Sequence, residues 1–279
     1  MSYKTILVHI DPSAQCATRV RAAAQIAVAN DAHLIGTALT NLSPLYFSAS
    51  GLDPAVPALA LPLDQLRKDA ERTLVEFDQQ ARRLGVNSLE RCLLEEEAGL
   101  GISLQARYCD LVVLSLHDRN APIPGLRADF PEYVLLNCAR PVLMMPPALP
   151  KAALGSKIIV AWNGSVPATR AIASALPMLR HARTVELVVL NAGIEEAPQG
   201  GLPASGMAVY LARHGVKVDV RGFDHVGAVG EKLLQLAADS GADLIVMGAY
   251  GHSRFREILL GGTTRTLLRS STVPLWMMH

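Results

Sequence analysis

The chain contains no apolar run approaching the roughly 20 residues that a membrane-spanning helix needs, although half of its 279 residues are hydrophobic and mean hydropathy is +0.25. Its longest runs, such as Leu111–Leu114 and Leu244–Met247, are strand-sized, and each begins directly after an aspartate. Net charge is lacking too. Twenty-six Lys+Arg against 25 Asp+Glu leave +1, so no global field draws in nucleic acid or an anionic membrane, and neither is expected as a partner. Cysteine is scarce: Cys16, Cys92, Cys109 and Cys138 show no C-x-x-C spacing. That argues against a disulfide scaffold or a cysteine zinc site, and for reduced thiols in the cytoplasm. Met1–Pro12 lacks the charged stretch and long apolar core of a secretory signal. A disordered chain is excluded by the apolar mass.

Several catalytic signatures are missing as well. There is no G-x-x-x-x-G-K-[ST] and no G-x-G-x-x-G. Ser13 and Ser165 have no nucleophile elbow around them, and no carboxylates sit at a spacing suited to general acid/base work. His9 and His117-Asp118 lack the second spaced pair of a metal site, and Glu95-Glu96-Glu97 reads as an exposed turn.

What the chain does have is an internal repeat. Ile6–Ile10 followed by Asp11-Pro12-Ser13 matches Ile158–Trp162 followed by Asn163-Gly164-Ser165, an offset of 152 from Asp11 to Asn163. Asp110–Ser115 matches Asp243–Gly248, and Pro141–Met145 matches Pro274–Met278, both at an offset of 133. The first copy therefore carries a net excess of 19 residues, expected within Thr40–Leu63. Pro146, Pro147 and Pro150 mark a linker, which divides the chain into domains 1–148 and 149–279.

In the second copy, strands are expected at Lys157–Trp162, Val185–Asn191, Lys217–Arg221, Leu244–Gly248 and Pro274–Met278. Helices are expected at Val166–His181, Ala204–His214, Gly227–Ser240 and Thr263–Arg269. Continuous apolar strands alternating with helices predict an α/β fold, here two tandem, open, doubly wound, five-stranded parallel sheets. Such sheets bind ligands beyond the carboxyl ends of their strands.

One segment there stands out, from Gly248-Ala-Tyr-Gly251 to Gly261-Gly262-Thr263-Thr264-Arg265. Glycine at a strand end admits a close ligand, and Gly261–Thr264 at a helix start offers N–H groups, hydroxyls and the positive end of a dipole to phosphate. Arg265, in the first turn, adds a charge. Arg254 and Arg256, beside His252, either meet phosphate or are solvated.

This G-x-x-G-x9-G spacing, with the terminal V-P-L-W-M-M strand, resembles the nucleotide-binding signature of universal stress proteins, and the whole chain resembles their tandem-domain form. The resemblance implies an adenine nucleotide alpha hydrolase-like fold that binds ATP, with Mg2+ as its accompanying ion. It places Gly248 and Gly251 against the ribose and nearer phosphates, and Gly261, Gly262, Thr263 and Thr264 at the outer phosphates. The family's Ser or Thr after the third glycine is here Gly262, which leaves backbone donors and puts the hydroxyl contact in doubt. Where relatives carry an aspartate at the adenine edge, this chain has Asn163. Its amide can still recognise the base, or the residue can be simply part of a turn. Met247 and Ala192 are candidate walls for the base.

The first copy has lost the signature, with Ser115 and Asp118 for the first two glycines and Ala128-Asp129 for the later pair. The resulting expectation is a cytoplasmic stress-response protein with ATP in its second domain, a sensor or regulatory module with at most slow hydrolysis. Two alternatives stand beside it: a nucleotide-free pseudo-dimeric scaffold, and an adenylate-forming or pyrophosphatase-type enzyme. The apolar closing strands predict intrachain pairing of the two domains, with a homodimer as a further step.

Overall fold

The computed structural model describes residues 2–42, 57–118, 121, 126–147, 154–190, 203–224, 227–250 and 262–279, with 57–62 and 203 described by their backbone alone. These form two compact units, Ser2–Arg140 and Pro141–His279.

In the first unit the order is β1 (Thr5–Ile10), α1 (Cys16–Asn30), β2 (His33–Leu39), α2 (Pro57–Arg83), β3 (Leu89–Leu94), α3 (Ala98–Gln105), β4 (Leu111–Ser115) and α4 (Phe130–Asn137). Its strands run in the order β3-β2-β1-β4, all in parallel pairs. The second unit holds β5 (Val142–Met145), β6 (Lys157–Ala161), α5 (Val166–Leu179), β7 (Thr184–Leu190), α6 (Pro203–Arg213), β8 (Val218–Phe223), α7 (Val229–Ser240), β9 (Leu244–Gly248), α8 (Thr263–Ser270) and β10 (Leu275–Met278). Its order is β5-β10-β9-β6-β7-β8. Five of these strands are parallel, as expected, while β5 joins antiparallel, with Leu143 opposite Trp276.

Pro141–Met145, the closing strand of the first copy in the repeat, forms β5, which the compact division counts with the second unit. All four β5 residues are buried, so the strand gains most where a neighbour on an otherwise open edge can cover it.

The aspartates that mark the repeat have a structural role. Asp110 accepts hydrogen bonds from the backbone of Lys4 (2.7 Å) and Thr5 (3.0 Å). Asp243 accepts from Gly155 (3.0 Å), Ser156 (2.9 Å) and Lys157. Asp110 ties the start of β1 to the start of β4, and Asp243 ties the start of β6 to the start of β9, satisfying donors that the sheet leaves open.

Within the core of the second unit, Trp276 is wholly buried and its Nε1 donates to Ser174 Oγ at 3.0 Å. Helix α2 has 27 residues against 11 in α6, so much of the first copy's extra length is helical; residues 43–56 of the expected insertion lie outside the described residues. The acidic run is more than a turn. Glu97 caps α3 by accepting from Leu100 N (2.9 Å), and Glu95 pairs with Arg67 through two hydrogen bonds of 2.7 and 2.9 Å.

Candidate functional site

In the second unit β6 and β9 are parallel neighbours, with Ala161 opposite Met247. Strand order reverses between them, so a crevice opens beyond their carboxyl ends. Asn163 is exposed there, two residues past β6, and its Oδ1 accepts from Ser165 N at 3.1 Å. Gly164 between them has φ +75°, a left-handed turn that glycine adopts without strain. Ser165 then caps α5, its Oγ accepting from Ala168 N at 3.3 Å.

Gly248 ends β9 against this same helix start. A Cβ at Gly248 would strike the backbone of Pro167 and Ala168. The glycine is therefore needed for α5 to seat on the strand end, a reason independent of ligand approach. Met247 is buried beside it.

Two residues beyond β9, Tyr250 has φ +55°, and its N–H donates to Thr264 Oγ1 at 3.3 Å. Thr264 is almost wholly buried, so its hydroxyl fastens the start of α8 to this strand end. Gly262 is the N-cap of α8 and has no side chain with which to cap it, so first-turn N–H groups and the positive dipole end are not satisfied from that position. Thr263 is half-buried beside them and Arg265 is exposed.

The structure thus brings Asn163, Met247, Gly248, Gly262, Thr263 and Thr264 to one set of strand ends. Ala192, Gly251, His252, Arg254, Arg256 and Gly261 lie outside the described residues. The sequence reading missed His279, whose Nδ1–H donates to Ala249 O at 3.1 Å and whose ring meets Tyr250 edge-on at 6.3 Å.

The matching crevice of the first unit is built differently. Asp11 makes the same turn as Asn163, accepting from the backbone (2.9 Å) and hydroxyl of Ser13, but it is buried and faces Arg19. Arg19 is wholly buried; Nε donates to His9 O at 2.6 Å and Nη1 to Ser115 Oγ at 2.5 Å. Its Nη2 lies 2.9 Å from the Asp11 carboxylate as an ion pair without hydrogen-bond alignment.

Burial pushes the Asp11 carboxyl up, but Arg19, His9 and Ser13 together outweigh it and hold it at about 2. Burial pushes the His9 imidazole down to about 4 despite the neighbouring Asp11. His9 is thus neutral at pH 7, and its 3.4 Å contact with Asp11 is polar rather than ionic.

Asp129, in the place of the second of the later glycines, pairs with Arg127 at 2.7 Å, and Asp118 accepts from Gln15 at 2.9 Å. Among the described residues no three His, Cys, Asp or Glu side chains gather as a metal site. The Arg19–Ser115 arrangement was missed, although the repeat contains its signal: the same offsets put Ala171 and Gly248 in their places.

A sequence model of the Universal stress protein family matches residues 2–146 and again 156–279. Universal stress protein Slr1230 of Synechocystis is 26% identical over 144 residues, 51% of this chain and 48% of its own length, so the chain spans about half of that relative. The crystal structure of a universal stress protein from Archaeoglobus fulgidus aligns with a TM-score of 0.75 at 18% identity, covering 98% of this chain and 95% of that one. A second structure from that organism, a universal stress protein in complex with dAMP, matches 52% of this chain and 98% of its own at 19% identity and a TM-score of 0.37.

Proposed function

The chain belongs to the universal stress protein family, matching it once in each half, and from that premise we propose that it is a stress-response protein that binds ATP in its second domain. The observation that carries the proposal is the α8 N-terminus, whose N-cap Gly262 has no side chain to cap it and which is held to the end of β9 through Thr264 and Tyr250. A triphosphate fits such a donor cluster beside a switch-point crevice. In this reading Asn163 meets the adenine edge through its amide Nδ2, since Oδ1 already serves Ser165. Met247 and Ala192 wall the base, Gly248 and Gly251 lie near the ribose, and Gly261, Gly262 and Thr263 face the outer phosphates. Thr264 positions the helix rather than the ligand.

The chemistry of the donors does not fit a protein-held Mg2+. Among the described residues no carboxylate cluster is present, so a Mg2+ ion would arrive on the nucleotide's own phosphates. In the same reading the protein is a sensor or regulatory module with at most slow hydrolysis.

The same proposal includes domains 1–148 and 149–279, a cytoplasmic location, intrachain pairing and a homodimer. The antiparallel pairing of β5, which closes the first family match, with β10 supports the pairing. Among the described residues no helix is long and apolar enough to cross a membrane. Mass spectrometry of small molecules released from the purified protein, with and without prior incubation in ATP, tests the reading. An adenine nucleotide retained in stoichiometric amount is expected; none after saturation would favour the scaffold instead.

A further inference from the structure

The outermost strand of the second unit, β8, has a neighbouring strand on one side only among the described residues, and that neighbour is β7. Its other edge presents backbone N–H and C=O groups to which a further strand can add. Asp219, Val220, Arg221 and Gly222 are all exposed, and Val220 is 48% exposed despite being apolar. A charged edge ordinarily repels an incoming strand. The spacing of the charges on β8 has the opposite effect.

Asp219 and Arg221 stand two residues apart on the strand, so they share one face of the sheet. A two-fold axis perpendicular to the sheet sets two copies of β8 antiparallel with their faces matched. Centred on Val220, it brings Asp219 of each copy opposite Arg221 of the other. Centred one residue to either side, it opposes Asp219 to Asp219 or Arg221 to Arg221, and like charges directly opposite are destabilising. Charge therefore selects one register.

Both charges are available for it. Among the described residues no cation pairs with Asp219. Arg221 donates through Nη1 to Glu186 at 3.0 Å, but Glu186 is also held by Lys157 at 3.2 Å and stays neutralised when Arg221 turns outward. The Arg221 side chain is half exposed and has further N–H donors. The outermost strand of the first unit offers no such match. In β3, Glu90 and Arg91 are adjacent and so lie on opposite faces, where no two-fold of this kind can oppose them.

We propose that the outer edge of β8 is an interaction surface for a second copy of this chain, which adds antiparallel to it in the register centred on Val220. The inference rests on the homodimer reading above and names its surface; it does not depend on ATP binding. One strand from each copy makes a small interface, so the dimer is concentration-dependent.

The test is sedimentation velocity on the full chain over a range of concentrations, with circular dichroism checking the fold of each variant. A monomer–dimer equilibrium is expected for the wild type. Asp219→Arg opposes like charges at both pairs and should raise the dimer dissociation constant by about tenfold or more. Arg221→Asp should do the same. Mixed in equal amounts, the two variants again oppose Arg to Asp at both pairs, so a heterodimer near wild-type affinity is expected, which a loss of monomer stability alone could not give. If Arg221→Asp, beside Glu186, does not fold, Val220→Cys supplies the second measurement. Mild oxidation should then join two chains through position 220, located by peptide mass mapping, and adding Asp219→Arg should slow the crosslink. A monomer at every concentration would overturn this inference and the homodimer reading together. A dimer indifferent to Asp219→Arg, no recovery on mixing the folded variants, or no crosslink through position 220 would overturn this inference alone.

Discussion

The two units build the same switch point with opposite chemistry. Around the end of its first strand the N-terminal unit carries Asp11, Arg19 and Ser115, joined in one buried polar cluster. At the equivalent positions of the repeat the C-terminal unit carries Asn163, Ala171 and Gly248. Ala171 is wholly buried and Gly248 lies directly against the first turn of α5. One unit therefore fills the space between helix and strand with a guanidinium and the groups that hold it, while the other closes it with small residues. The turn itself is common to both, because Asp and Asn accept equally well from the backbone two residues on. Only the aspartate is paired with a buried cation.

Breaking the pair should give the largest effect. Arg19→Ala strands the Asp11 carboxylate in the interior and is expected to destabilise the protein by about 3–5 kcal/mol in urea denaturation. Adding Asp11→Asn, which makes both positions match the C-terminal unit, should restore most of that loss. If the double variant is no more stable than Arg19→Ala, the Asp11–Arg19 coupling is not what these residues contribute.

Acidification should separate the units next. His9 takes up a proton near 6.5 when unfolded and only near 4 when folded, so stability is lost as pH falls through that window, by an amount on the order of 3 kcal/mol. Asp11 adds a second loss between its ordinary value of 3.8 and about 2, because its stabilising ionised form disappears there. The repeat puts Ala161 where His9 stands. Hydrogen exchange read peptide by peptide at pH 7 and pH 5, after correction for intrinsic rates, should show protection falling more in β1 and α1 than in β6 and α5. Equal loss would contradict the neutral, buried His9.

A swap at the strand ends should be lopsided. Gly248→Ala drives a Cβ into the α5 backbone and is expected to cost about 1–3 kcal/mol. Ser115→Gly removes one hydrogen bond to a charged group that keeps its other contacts, about 1 kcal/mol. Thermal melts of the two variants rank them; the reverse order would remove the packing explanation for Gly248. Smallest are the helix caps, where Ser165→Ala and Glu97→Ala should each cost about 1 kcal/mol by the same measurement.

Much of this architecture is legible in the chain. Parallel strands covered on both faces must be apolar along their length, so β9 falls at its expected Leu244–Gly248, and β6 and β7 fall within a residue of expectation at each end. The repeated Asp110 and Asp243 are legible as landmarks because each ties the same two strand starts. What is not legible depends on tertiary choice. Arg19 looks like a solvated helix residue until Asp11 and Ser115 are known to surround it. Gly248 is prominent in the sequence as a ligand contact, while its collision with Pro167 and Ala168 needs the α5 start in place.

The central claim, that the C-terminal unit is the nucleotide-binding one, is tested most directly by titrating ATP calorimetrically into the full chain and into Gly261→Asp. A carboxylate about 4 Å from a phosphate charge at an effective dielectric of about 20 is worth about 4 kcal/mol, a ceiling near a thousandfold in affinity before screening. The account predicts one ATP per wild-type chain and strong weakening in Gly261→Asp, with Asp129→Ala in the N-terminal unit unchanged. ATP binding that is absent from the wild type, or equally tight in Gly261→Asp, would contradict it.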